Sequence, residues 1–140
     1  MQLARLDMPA TPEFVSLARL VVSSIADHRY EITEGRLDDL KLAVSEACVL
    51  AIEAETGPQA SFSVTCEGTS EDLSVVVAHT DNAEPEGVAD KIGVSSFEEF
   101  RPASLGLPLI HSLVDEVGLE SERGLSSLRM TLRCRALEFS

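Results

Sequence analysis

The segment SEACVLAIEA, Ser45 to Ala54, constrains the fold most, because it belongs to a helical period that is apolar on two faces. At about 100° per residue, Leu37, Leu40, Val44, Ala47 and Ala51 line one face of a helix running from about Glu34 to Glu55. Leu42, Glu46, Val49, Leu50 and Glu53 line roughly the opposite face. A helix of this kind is expected to be covered on both sides. One cover is a sheet; the other is a neighbouring helix, a partner subunit, a flexible loop or a ligand. Glu46 places a carboxylate in the second face, and Leu50, one turn later, offers it no polar partner.

Thr56, Gly57 and Pro58 supply the stop signal for that helix. Ahead of it, Gln2 to Met8 reads as a short strand. The run TPEF then starts a first helix, with Thr11 as N-cap, Pro12 at the first helical position and Glu13 in the first turn. Phe14, Leu17, Ala18, Val21 and Ile25 carry its apolar spacing until the pattern fades at Asp27 to Tyr30. From Ala60 the period becomes two: Phe62, Val64 and Cys66 alternate with Ser61, Ser63 and Thr65, Gly68 to Asp72 turns, and Leu73 to Ala78 runs back. A second hairpin pairs Val117 to Ser121 with the alternating Leu128, Met130 and Leu132 across the turn ERGLS. Between the hairpins, a third helix from about Leu107 to Glu116 buries Leu109, Ile110, Leu113 and Val114, with Pro108 tolerated in its first turn. The loop from His79 to Ala103 is long enough to be a functional lid. This order predicts one domain over residues 1–140, a two-layer α+β sandwich with a mostly antiparallel sheet and three helices on one face.

The formal net charge of −13, with Lys and Arg scattered singly, argues against a nucleic-acid binder and suits a partner with a basic surface. Cys48, Cys66 and Cys134 are widely spaced within apolar-periodic segments and read as small core residues of a cytoplasmic protein. His28, His79 and His111 fall at unrelated spacings, so no metal site is expected. No apolar run is long enough to cross a bilayer, and no export signal is expected.

Three stretches carry a resemblance to a known family: DDLKLAVSEAC, the hydrophobic strand ending near Asp81, and the Gly-Leu-Pro-Leu-Ile helix start followed by LVDEV. They resemble the anti-sigma-factor serine kinases of the GHKL superfamily, histidine-kinase-like ATPases built on the Bergerat fold, over nearly the whole chain. The resemblance implies a Glu on the second helix acting as general base and, four residues on, an Asn that holds Mg²⁺ against a triphosphate. Glu46 matches the Glu, and Leu50 stands at the Asn position. An aliphatic side chain cannot ligate a hard cation that demands oxygen. The resemblance further implies an Asp that receives the adenine amino group, for which Asp81 is the match, with Ala83 and Pro85 where glycines are expected. The phosphate-binding GxGL turn is matched by Ser104, Leu105, Gly106 and Leu107 with its first glycine replaced, and a polar position on the closing strand by Ser126.

A triphosphate carries about four negative charges, and each carboxylate within about 4 Å costs on the order of 4 kcal/mol at an effective dielectric of about 20. With Leu50 at the metal position and Glu46, Glu53 and an acidic loop retained, the pocket has little to offset that cost. Glu46 is therefore expected to be vestigial, and no cofactor is expected. The functional expectation is regulation by binding, in a kinase-like protein of a partner-switching system. The resemblance implies a sigma factor or a STAS-domain anti-anti-sigma protein as partner, and a homodimer. Two alternatives stand beside it. One is an active ATP-dependent protein serine/threonine kinase that uses ATP and Mg²⁺ on a STAS partner; the other is a small-molecule sensor reusing the pocket.

Overall fold

Alternation of apolar and polar residues drives two hairpins and an N-terminal strand into one sheet whose apolar face must be covered. The computed structural model describes residues 1–55, 59–80, 106–122 and 124–137. Strand β1 (Gln2–Pro9) is followed by helix α1 (Glu13–Arg29), a short strand β2 (Tyr30–Glu31) and helix α2 (Glu34–Ala54). The first hairpin is β3 (Ser61–Gly68) with β4 (Asp72–Thr80). Helix α3 (Gly106–Leu113) precedes the second hairpin, β5 (Glu116–Glu122) with β6 (Leu125–Arg133), and β7 (Arg135–Ala136).

Among the described residues all pairings are antiparallel, and the five-stranded sheet runs β1-β3-β4-β6-β5. The two hairpins meet at β4 and β6, in a register that sets Val77 opposite Leu128 and His79 opposite Ser126. Phe62, Val64, Cys66, Leu73, Val75, Val77, Leu128, Met130 and Leu132 form the sheet side of the core. Ala18, Val22 and Ala26 of α1 and Leu40, Val44, Ala47 and Ala51 of α2 form the helix side. The expected two-layer α+β sandwich is the observed one, and among the described residues its helices number three.

Local chemistry explains the helix ends. Pro12 has helical dihedrals (φ −59°, ψ −26°), as its fixed ring favours, and Thr11 closes the first turn through its backbone carbonyl, 3.1 Å from the Phe14 amide. Thr33 caps α2 with its hydroxyl, which accepts from the Arg36 amide at 3.2 Å. The expected stop, Thr56 to Pro58, lies outside the described residues. Helix α3 ends earlier than its periodicity predicts: Asp115 already donates its amide to the Thr131 carbonyl at 3.0 Å, and Glu116 starts β5. The buried side chains of that region are Ile110 and Val114, while Leu109 and Leu113 are half-buried.

A second, two-stranded sheet joins β2 to β7, a pairing too short to show as periodicity. It forms behind Tyr30, whose hydroxyl lies 2.9 Å from the carbonyls of both Thr69 and Asp72. A Cβ at Gly68 would fall 2.2 Å from that hydroxyl oxygen, so the hairpin reaches Tyr30 only because residue 68 has no side chain. Among the described residues, no helix is long and apolar enough to cross a membrane.

Candidate functional site

The second face of α2 is divided by the fold. Leu42 and Val49 are 44% and 39% exposed, so the expectation that this whole face is covered fails for them. Leu50, expected on the same face, is only 2% exposed. The helical rotation places it toward α3 rather than outward, and α3 packs against α2 there.

The contact is specific. A Cβ built on Gly106 would lie 3.0 Å from Leu50 Cδ1, 3.1 Å from Cδ2 and 3.2 Å from Cγ. The isobutyl group thus fills the space beside the first residue of α3, and the missing side chain of Gly106 lets the two helices approach. A helix N-terminus ordinarily favours an anion, but the group meeting this one is a hydrocarbon. Leu107, next in α3, is half-buried and packs against the core. Glu46, one turn before Leu50 on α2, is half-buried, and Glu53, one turn after Val49, is exposed.

A polar cluster sits where the end of α2 meets β4. The His79 and Glu55 side chains are 1% and 2% exposed, with His79 Nδ1 3.4 Å from Glu55 Oε2 and 2.9 Å from the Thr80 carbonyl oxygen. Facing a carbonyl that only accepts, Nδ1 carries a proton and donates it. Ser126, opposite His79 on β6, is fully buried. Residues Asp81, Ala83, Pro85, Ser104 and Leu105 lie outside the described residues. Of the expected site positions, the structure therefore brings Leu50 and Gly106 into contact, holds Glu46 one turn along the same helix, and places Ser126 at the sheet end beside His79.

His79 and Glu55 were absent from the candidates read in the sequence. The signal was the period of two: Leu73, Val75 and Val77 point inward, and the same alternation carries His79 inward, although the sequence reading began the loop there. Cys48 and Cys66 supply no nucleophile: burial pushes the Cys48 thiol up to about 12 and the Cys66 thiol up to about 11, so both are protonated core residues at neutral pH. Asp115 of the LVDEV motif has a structural task. Its Oδ2 accepts from the Arg133 amide and from Arg36 Nη2, both at 2.7 Å, tying the start of α2 to β6.

The described residues thus form an antiparallel sheet backed by helices on one face, with α2 packed against the glycine-led start of α3. Residues 8–132 match the family model described as a histidine kinase-like ATPase domain. The chain is 31% identical over 126 residues to the serine-protein kinase RsbW of Bacillus velezensis, covering 85% of this chain and 78% of that protein. It is 34% identical over 128 residues to RsbW of Listeria monocytogenes serovar 1/2a, covering 86% and 81%. In fold it is similar to the crystal structure of the RsbU and RsbW domains of Rv1364c from Mycobacterium tuberculosis, with a TM-score of 0.61 at 15% identity, covering 94% of this chain and 33% of that one. The chain belongs to the histidine-kinase-like ATPase family and, within it, to the RsbW serine-protein kinases, the anti-sigma-factor kinases that its motifs resemble.

Proposed function

We propose that this chain is an anti-sigma-type regulator of a partner-switching system that acts by holding a protein partner, its nucleotide end filled by its own side chain. The observation that carries this reading is the packing of Leu50 against Gly106. At the position where the family resemblance calls for an oxygen ligand to Mg²⁺, the chain supplies an aliphatic group that is already occupied in core packing. Those residues do not fit a metal–triphosphate, and no ATP or Mg²⁺ is assigned to the site. The partner is a sigma factor or a STAS-domain anti-anti-sigma protein, and the chain works as a cytoplasmic homodimer. A net charge of −13 favours a partner with a basic surface and speeds their encounter.

A second reading is favoured by Glu46. It stays half-buried and partly open on α2 at the general-base position of the resemblance, and the relatives in Bacillus and Listeria bear the name serine-protein kinase. In that reading the chain is an active serine/threonine kinase acting on a STAS partner.

Co-purification of the chain with its cognate sigma factor and STAS protein, followed by incubation with labelled ATP, separates the two. Stable capture without label on the STAS protein is the expected result. Label incorporated there and lost in Glu46→Gln establishes the kinase, and absence of capture by either protein overturns the regulatory reading.

A further inference from the structure

Strand β4 spans about 26 Å from Asp72 to Thr80, and the end where His79 meets Glu55 is only one of its two ends. At the Asp72 end, separate pieces of the chain enclose a groove of about 310 Å³. Leu3 of β1, Tyr30 of β2, Gly68 of β3, Ala136 of β7 and the following Leu137 line it, together with Arg29, the exposed last residue of α1. Backbone hydrogen bonds of 2.8 Å hold these walls: the Gly68 amide donates to the Met1 carbonyl, Ala136 to Ser70 and Leu137 to Arg29. Tyr30 is only 4% exposed, and its hydroxyl is engaged by the hairpin carbonyls of Thr69 and Asp72. The polar groups of the walls thus serve one another, and the surface left to the groove is mostly hydrocarbon. Gly68 keeps it open: a Cβ there would fall 2.2 Å from the Tyr30 hydroxyl and 3.0 Å from Leu3 Cδ1.

Charge separates this groove from ordinary surface relief. Asp and Glu make up 24 of the chain's 140 residues, yet among the described residues none lines it. Arg29 is the one charged side chain among the described residues that does. Arg5, Arg36, Arg129 and Arg133 each meet a carboxylate, whereas Arg29 forms no ion pair among the described residues.

We propose that this groove is a binding site for a small organic acid, its apolar body lying against Leu3, Tyr30, Ala136 and Leu137 and its carboxylate meeting the Arg29 guanidinium. The proposal is independent of the regulatory reading and of the nucleotide end. A guanidinium presents a carboxylate with paired N–H donors, a match that a metal cation or a neutral solute does not make. A bare inorganic anion would satisfy Arg29 and leave the hydrocarbon walls wet. The volume lies at the small end of ligand pockets, about 300–1,000 Å³, which suits a single ring or a short acyl chain. Because the walls are already joined by backbone bonds, little ordering accompanies binding. Arg29 also suits the C-terminal end of the α1 dipole, but that role needs only a positive charge and calls for no ligand.

Amide chemical shifts of the whole chain, followed by NMR in titrations with phenylacetate, 3-phenylpropionate and hexanoate, test the site. At least one of these acids is expected to saturate the protein with a midpoint below about 10 mM, moving the amides of Leu3, Gly68, Ser70 and Leu137. The uncharged amide of that acid, and acetate, which lacks the apolar body, are each expected to bind weaker by about tenfold or more. Arg29→Gln should weaken the acid by about the same factor. Arg135→Gln makes the same change of charge at an exposed residue that does not line the groove, and should stay within about twofold of wild type. Failure of all three acids to saturate below about 10 mM overturns the proposal, as do shifts confined to residues away from the groove. An amide or acetate that binds as tightly as the acid overturns it too, and so does an Arg29→Gln protein that is weakened no more than Arg135→Gln.

Discussion

The two ends of α2 are held by opposite kinds of physics. At its start, Thr33 caps the helix, and Arg36 joins Asp115, which also accepts from the Arg133 amide; these are polar, partly exposed contacts of local design. Along its second half, Leu50 is buried against Gly106, and Glu55 is buried against His79. Polar pins at a surface contribute little individually and tolerate change. Packing that closes a gap between two helices tolerates little, because a protein interior is dense enough to feel a single methylene. The contrast teaches that the end of α2 nearest α3 is held by core packing, which is what the proposed reading of a filled nucleotide end rests on.

The largest expected effect is at Leu50. Removing its isobutyl group leaves a cavity between α2 and α3, and Leu50→Ala should lower stability by about 2–5 kcal/mol in urea unfolding. A loss below about 0.5 kcal/mol would show that the side chain lines open space, and the contrast between the two ends would dissolve.

Gly106→Ala sharpens the same contrast from the other side. The added methyl would sit 3.0–3.2 Å from three carbons of Leu50, so it should cost about 1–3 kcal/mol in the wild type. In the Leu50→Ala background the new methyl has room, and its cost should fall sharply. Additive losses in that double-mutant cycle would mean that the two residues do not share the gap.

The smallest expected effect is at the polar end. The Arg133 amide, and then the Arg36 guanidinium, hold the Asp115 carboxyl below the ordinary carboxylate range. A carboxyl whose folded value is lowered contributes stability above its unfolded value, near 3.9, and loses it as pH falls through the lowered folded value. Asp115→Asn should therefore cost about 0.5–1 kcal/mol near pH 7 and nothing once the wild-type carboxyl is protonated. The two unfolding curves should converge in acid, as pH falls through the lowered folded value. A difference that persists unchanged into acid would assign the effect to packing instead.

Most of the fold was legible because it follows from periodicity. The alternation through Phe62, Val64 and Cys66 and through Leu128, Met130 and Leu132 fixed both hairpins and their inward faces, and the helical spacing of Leu40, Val44, Ala47 and Ala51 fixed the buried side of α2. Glu46, Leu50, Gly106 and Ser126 were singled out through the resemblance alone, since no periodicity distinguishes them. What escaped the sequence was tertiary. The same spacing that set Leu50 beside Leu42 and Val49 could not say that α3 would cover only the first of them. The end of α3 was overrun because Val114 continues the apolar pattern into a turn, and β2 with β7 is too short to show any period. His79 was read as the start of a loop, and what lets it be buried is Glu55, which comes from a different element.

The central claim, that the chain's own Leu50 fills the nucleotide end, is tested most directly by thermal unfolding in a titration of ATP with Mg²⁺. A ligand bound only by the native state adds about 2.7 kcal/mol at a hundred times its Kd, which is a shift of several degrees for a domain of this size. The wild type is expected to show no saturable shift up to millimolar nucleotide, and Leu50→Asn to melt lower than wild type with no shift either. A saturable, Mg²⁺-dependent rise in the melting temperature of the wild type would contradict the account.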